Sequence, residues 1–231
     1  FKDRIVHTAI HRVIAPIVDN TLCARTYACR FAMGNRLAAQ RLGEQLKTMG
    51  TKRYCVKLDV KKYFESIPHG PLKQYLLEIL PDDTLSKIIS SLLDSHPRYS
   101  IQKRGIPIGN LTSQLFANLY LSKIDFFVCQ ALKLDSQNDK RESEGFYIRY
   151  MDDIVIIARD KMLAIDIATK AVEIAERELG LEIPSHKFVV LAGNPIPFLG
   201  FVFDENGYRV LQRNSQRFTK KLLRAKKRDE S

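Results

Sequence analysis

Apolar residues recur every three to four positions across 3–18, DRIVHTAIHRVIAPIV, and that spacing predicts an amphipathic helix. Residues 25–31, RTYACRF, are expected to be extended. A basic helix is predicted over 35–48, ended by Gly50. In 53–60, RYCVKLDV, the residues Val56, Leu58 and Val60 alternate with Lys57 and Asp59, which marks a strand. Helical patterns follow at 71–80 and 83–95, divided by Pro81. A Gly/Pro-rich loop, GIPIGN at 105–110, leads into one long apolar helix over 111–132. Residues 135–145 are polar and read as a surface loop or insertion. Strands at 146–150 and 154–158 flank a Met-Asp-Asp turn and form a hairpin. A helix at 160–179 stops at Gly180. Strand-like pieces at 187–192, 197–203 and 207–211 precede a basic helix that begins near 214.

The order is therefore strand, helices, strand–turn–strand, helix, strand. It predicts an α+β class with a split βαβ, ferredoxin-like antiparallel sheet. That sheet sets the first strand beside the central hairpin. Asp59, near the end of the first strand, then lies close to Asp152 and Asp153. Two adjacent carboxylates in front of a buried apolar run repel each other and are costly to desolvate. A cation would relieve the cluster. Hard divalent ions take oxygen ligands, and a pair of them about 3.5–4 Å apart serves in-line phosphoryl displacement. Taken alone, a Tyr-x-Asp-Asp match arises by chance in roughly a few per cent of chains this long. Its place in a hairpin, with a third aspartate on the adjoining strand, is what makes it informative.

Composition sharpens this picture. With 231 residues and 45% hydrophobic content, the chain can bury a substantial core. Its formal net charge of +11 favours a polyanionic partner, most often nucleic acid. Cys23, Cys29, Cys55 and Cys129 form no C-x-x-C pair. They are expected to be buried free thiols in a reducing, cytoplasmic setting, with neither a zinc site nor a disulfide framework. His7 and His11 stand four apart, but no third ligand accompanies them, so they read as ordinary helix residues. No stretch is long and apolar enough to span a membrane, and no signal peptide is visible. The chain begins at Phe1, so it is expected to be a fragment.

Five segments, in order, carry a resemblance to reverse transcriptases. YMDD at 150–153 resembles their motif C, and LDVKKYF at 58–64 their motif A. GIPIGNLTSQLFANLYL at 105–121 resembles motif B, LGLEIPSHK at 179–187 motif D, and FLGF at 198–201 the primer grip. The resemblance implies a right-hand polymerase fold divided into partial helical fingers (1–52), a palm (53–192), primer-grip strands (193–211) and the start of a basic thumb helix (212–231). The first fingers strands and most of the thumb are expected to be missing.

The resemblance also implies roles. Asp59, Asp152 and Asp153 match the metal-binding triad, with the Val60 carbonyl as a further ligand for two Mg2+ ions, Mn2+ being a possible substitute. Lys187 matches a lysine suited to protonating or neutralising the leaving pyrophosphate. The backbone amides of Lys62 and Tyr63 match positions that hold the triphosphate. Phe64 matches an aromatic gate that excludes a 2′-hydroxyl and so selects deoxynucleotides. Gly109 fits close approach of the backbone to a nucleotide. Arg30 matches an arginine that contacts substrate or template. Phe198, Leu199 and Gly200 match the primer grip.

One departure narrows the resemblance further. Ile108 stands where many relatives carry glutamine. Ile-Gly-x-x-x-Ser-Gln, ending at Gln114, is similar to the reverse transcriptases of diversity-generating retroelements, which misincorporate at adenines. An aliphatic Ile108 cannot hydrogen-bond near the nascent pair, which would relax fidelity. A basic accessory protein is a partner implied by that resemblance, beside template RNA, DNA primer and deoxynucleotides.

The basic end adds Arg213, Arg217, Lys220, Lys221 and Arg224 at helical spacing, suited to gripping phosphates. Three alternatives remain on sequence grounds: a group II intron-like enzyme, a defence-associated reverse transcriptase, and a truncated, silent nucleic-acid-binding module. Phe64 and Tyr150-Met151 disfavour an RNA-dependent RNA polymerase. An RRM-like module would need stacking aromatics, and the first strand offers only Tyr54.

Overall fold

The computed structural model describes residues 2–80, 82–95, 101–134, 144–193 and 195–229. The side chains of 2, 3 and 222–229 are not described. Pro81 and nearly all of the expected loop at 135–145 lie outside the described residues.

Strands β1 (Tyr54–Asp59), β2 (Gly145–Tyr150), β3 (Asp153–Ala158) and β4 (Val189–Ala192) form one sheet in the order β2-β3-β1-β4. Every neighbouring pair is antiparallel. This is the expected split βαβ arrangement. Strands β5 (Ile196–Phe198), β6 (Phe201–Asp204) and β7 (Gly207–Val210) make a second antiparallel sheet.

The main sheet is covered on both faces. Val56, Leu58, Tyr147, Ile154 and Ile156 pack into a core shared with α1 (Lys2–Thr21), α4 (His69–Ile79), α6 (Leu111–Tyr120), α7 (Ser122–Ala131) and α8 (Lys161–Arg177). On the opposite face Cys55, Phe146, Ile148, Val155 and Ile157 join α2 (Asn35–Met49) and the inner residues Ile196, Phe198 and Phe203 of the second sheet. The pleat sends successive side chains to opposite faces, so a strand covered on both sides reads as a continuous apolar run. That is why Ile154–Ala158 shows no alternation.

Local signals account for several boundaries. Helix α8 starts where Asp160 accepts a hydrogen bond from Leu163 N, at 2.7 Å. Its buried face is Ile167 with Ala164, Ala168, Ala171 and Ala175, and the four alanines let the helix lie close to the sheet. Helix α5 (Asp83–Asp94) is capped by Asp82 through Thr84 N at 2.6 Å. Helix α2 ends at Gly50, whose positive φ of 63° suits glycine.

Four expectations are corrected. The single helix over 111–132 is two helices that bend at Leu121, where ψ is −1°. Helix α6 packs against α1 and α7 against α8, so each apolar face follows its own partner. No breaker residue marks that bend. The segment 25–31 is a set of turns, with Cys29 left-handed and Ala32 just beyond it likewise, rather than extended chain. Its one extended point is Thr26, bridged to Arg149. Cys29 is exposed rather than buried, while Cys55 is buried, and Cys23 and Cys129 face each other with sulfurs 3.2 Å apart. Lys187 belongs to a 3-10 turn, Ser185–Lys187, and β4 begins only at Val189.

Candidate active site

Strand β1 loses its two-sided burial where it nears its end. Cys55 and Val56 are both buried, whereas Lys57 and Asp59, two residues apart on one face, are only partly covered. Asp59 pairs directly with Asp153 across β1 and β3. Asp153 is the first residue of β3 rather than part of the turn, which consists of Met151 and Asp152. Met151 adopts φ 55°, a left-handed conformation that is uncommon outside glycine and gathers at functional sites. This tight turn brings Asp152 up beside the Asp59–Asp153 pair.

Two lysines partly offset the charge of the cluster. Lys187 Nζ is ion-paired with Asp59 Oδ2. The antiparallel register of β1 with β4 runs Lys57↔Val189, and its continuation, two residues on in β1 and two residues back from Val189, sets Lys187 beside Asp59. Lys57 Nζ lies 3.0 Å from Asp153 Oδ1. It also donates to Pro197 O at 2.5 Å and sits 6.0 Å from the centre of the Phe198 ring. Lys57 therefore ties the acid cluster to β5. The motifs did not single it out. Its signal was the i, i+2 spacing to Asp59, which puts both on one face of the strand.

The electrostatics are those of crowded, partly desolvated acids. Burial pushes the Asp152 carboxyl up to about 6, and the Asp59 and Asp153 carboxylates add to the rise. Burial also raises Asp153, against the opposing pull of Lys57. Asp153 Oδ1 is buried and accepts no aligned hydrogen bond, although Lys57 stands near it. Among the described residues no three metal-ligating side chains are already gathered into a cage; Asp59 and Asp153 are ion-paired with Lys187 and Lys57.

The other expected site residues fall into two groups. Lys62 and Tyr63 stand where the short helix α3 (Tyr63–Ser66) begins, just beyond β1 and the buried Val60. Lys62 is exposed and left-handed, with φ 46°. The Tyr63 ring is buried, and its hydroxyl donates to Ala117 O at 2.5 Å. Phe64 is half-buried, edge-on to Tyr63 with ring centres 5.8 Å apart. Its carbonyl accepts from Ile106 N at 2.7 Å, which ties motif A to the 105–110 loop. On that loop Ile108 is 73% exposed, a conspicuous position for an isoleucine. Gly109 has φ 98° and open space where a Cβ would be. Gln114 is half-buried in the first turn of α6, with its N–H on Asn110 O at 3.2 Å.

Leu199 and Gly200 make the two-residue turn between β5 and β6, both at positive φ, with Phe198 buried beneath. Gly200 O accepts from Leu211 N and from Asn214 Nδ2, which fixes the turn to α9 (Gln212–Asp229). Arg213, Arg217, Lys220 and Lys221 are exposed along α9, and the side chain of Arg224 lies outside the described residues.

Arg30 does not join the site. Its side chain is only 8% exposed and is folded back on Asp19, with Nε 2.5 Å from Oδ1. It also donates to Cys23 O at 2.7 Å and Thr26 O at 3.0 Å. Here its donors brace the end of α1 and the turns that follow it, and the expected contact with substrate or template is not part of this arrangement.

Comparison with known proteins fits this geometry. Apo telomerase from Candida tropicalis superposes with a TM-score of 0.66 at 13% identity, over 86% of this chain and 39% of that one. A second form of that enzyme, truncated from its C-terminal domain, gives 0.65 at 12% identity, over 88% of this chain and 45% of the other. The fold is thus the right-hand polymerase fold, in α+β form with antiparallel sheets. Residues 1–203 match the family model "Reverse transcriptase (RNA-dependent DNA polymerase)", and the chain belongs to that family.

Among curated relatives, the group II intron-encoded protein LtrA of Lactococcus lactis is 25% identical over 150 residues, 61% of this chain. The putative COX1/OXI3 intron 2 protein of Saccharomyces cerevisiae is 26% identical over 135 residues, 55% of this chain. The matches span 24% and 15% of those relatives' lengths. Among the described residues no helix is long and apolar enough to cross a membrane.

Proposed function

We propose that this chain is the catalytic core of an RNA-directed DNA polymerase that extends a DNA primer on an RNA template by nucleotidyl transfer. The observation that carries the reading is Asp59 paired with Asp153 across two strands, with Asp152 in the adjoining turn and a lysine on either side. In this reading 1–52 belongs to the fingers, 53–192 to the palm, 193–211 to the primer-grip strands and 212–231 to the thumb.

The acids fit divalent cations. Asp153 offers a buried oxygen with no aligned donor, and the raised Asp152 carboxyl is a charge that a cation would stabilise. Asp59, Asp152, Asp153 and the Val60 carbonyl would hold two Mg2+ ions, or Mn2+ in their place. When bound, the metals supply activation of the primer 3′-hydroxyl and neutralisation of the charge on the α-phosphate and pyrophosphate.

The protein's own groups do the rest. The Lys187 ammonium, freed from Asp59, neutralises or protonates the departing pyrophosphate. The Lys62 and Tyr63 amides cradle the triphosphate. The Phe64 ring lies under the incoming sugar and excludes a 2′-hydroxyl. The Leu199–Gly200 turn supports the primer end, and α9 meets backbone phosphates.

The motif around exposed Ile108 supports an error-prone enzyme of a bacterial or phage diversity-generating retroelement, cytoplasmic and served by a basic accessory protein. The relatives named above support the broader group II intron lineage. A silent binding module fits less well, since all three aspartates are retained where a degraded site would have lost one.

The test is primer extension on an RNA template with Mg2+, comparing the wild-type chain with Asp152→Ala and sequencing the products. Extension should fall by about 10³-fold or more, the loss of several kcal/mol of charge stabilisation. Errors should concentrate opposite adenine. Equal extension by both proteins would overturn the assignment of Asp152, and ordinary fidelity would remove the role given to Ile108.

A further inference from the structure

Behind the Met151–Asp152 turn lies a fully buried charge pair outside the triad. Arg149, on β2, and Asp125, on α7, each have side chains 0% exposed, with Arg149 Nη2 2.6 Å from Asp125 Oδ2 and Arg149 Nε 2.6 Å from Oδ1. Tyr147 donates its hydroxyl to Asp125 Oδ1 at 2.5 Å, and Thr26 donates to Oδ2 at 2.9 Å. The Arg149 guanidinium also reaches Asn118 O on α6 at 3.0 Å. Its Nη1 donates to the carbonyl of Met151 at 2.9 Å. Burial works against this guanidinium's charge, but Asp125 more than offsets it and holds the pKa above the usual value.

The geometry is specific. Met151 is the left-handed residue of the turn, and a left-handed non-glycine residue persists only where its surroundings hold it. Arginine supplies donors in a rigid fork, so one side chain reaches Asp125 on one edge and the turn on another. Its backbone is fixed as well. Arg149 N donates to Arg25 O and Arg149 O accepts from Tyr27 N, both at 3.0 Å.

We infer that Arg149, held by Asp125, is a positioning residue: its bond to the Met151 carbonyl fixes the left-handed turn that aims Asp152 and Asp153. This rests on the reading of those aspartates as the reacting site. It makes the network of Thr26, Asn118 and Asp125 a brace that joins the 25–27 segment, α6 and α7 to the turn.

The test uses the full chain carrying Arg149→Met together with Asp125→Asn. The double change removes both charges, and the amide still offers Tyr147 an acceptor, which avoids stranding one buried ion. The first readout is independent of activity: amide hydrogen exchange over 150–154 against exchange in β1. We expect exchange in the turn to speed by at least about tenfold with β1 unchanged. The second readout is single-nucleotide incorporation, where kcat should fall about 100-fold with nucleotide KM altered less than about threefold. Arg149→Lys keeps the charge but cannot bond both partners, so it should loosen the turn while Asp125 stays paired; it is read in place of the double variant if that one does not fold. Unchanged turn exchange in a folded variant would overturn the inference. If the wild-type chain shows no incorporation, the polymerase reading fails, and the exchange data still decide whether Arg149 holds the turn.

Discussion

Asp59 stands between Asp153 and Lys187. It pairs with Asp153 through the register of β1 and β3, and it is ion-paired with Lys187 across the edge of the sheet. An acid flanked by an acid on one side and an ammonium on the other is set for exchange of partners. In the proposed function Asp59 and Asp153 would hold the divalent ions, and Lys187 would then serve the pyrophosphate rather than Asp59.

Lys187→Ala should therefore lower kcat about 10²–10³-fold, the range of a lost general acid, with a smaller change in nucleotide KM. Lys187→Arg retains the charge but gives up no proton at working pH, so it should recover only part of the loss. Single-turnover incorporation with both variants checks this. Equal rates for wild type and Lys187→Ala would remove the lysine from the chemistry.

The Asp152 carboxyl makes stability depend on pH in a defined direction. Its folded pKa is raised from 3.8 to about 6, so the folded state binds that proton more tightly than the unfolded chain. Its effect is absent below about pH 4, and it lowers stability progressively as pH rises toward 6. Asp152→Asn should then be more stable than wild type by about 1–2 kcal/mol at pH 8, after allowing for solvent screening, and no more stable at pH 4. Urea melts across that range measure the difference. If the acids hold Mg2+ as proposed, added Mg2+ should narrow the gap at pH 8, because Asp152→Asn removes one of the ligands.

The exposed arginines and lysines of α9 predict a salt-dependent grip. Lys220→Ala with Lys221→Ala should weaken RNA–DNA duplex binding by similar factors on all sequences. It should also reduce the slope of log affinity against log salt by about 1–2, roughly 0.9 for each phosphate that is no longer neutralised. A fluorescence titration at several salt concentrations measures both. An unchanged slope would assign α9 to solvent rather than to phosphates.

Much of this arrangement is written in local pattern. Alternation marks β1, the Asp-Asp pair with its flanking apolar runs marks the hairpin, and the element order alone calls for a split βαβ sheet, so Asp59 and Asp153 come together without any knowledge of packing. The motifs also single out Lys187, Leu199 and Gly200, but the turn at Leu199–Gly200 was not legible, since 197–203 reads as one strand-like piece and the structure splits it into β5 and β6.

The tertiary structure decided what depends on partners distant in the chain. The break at Leu121 has no breaker residue and exists because α6 and α7 follow different helices. Arg30 looks like any surface arginine until Asp19 folds beneath it. Lys57 shares a face with Asp59 by spacing alone, but its ties to Asp153 and to the Pro197 carbonyl of β5 come from partners distant in the chain. Arg149 reads as one more charge before a motif, yet it is wholly buried, because Asp125, Asn118, Thr26 and the Met151 carbonyl converge on it from separate parts of the chain. Spacing along a strand or helix fixes which face a side chain takes. Whether a charge on that face meets water or a partner is set by what the rest of the chain lays against it.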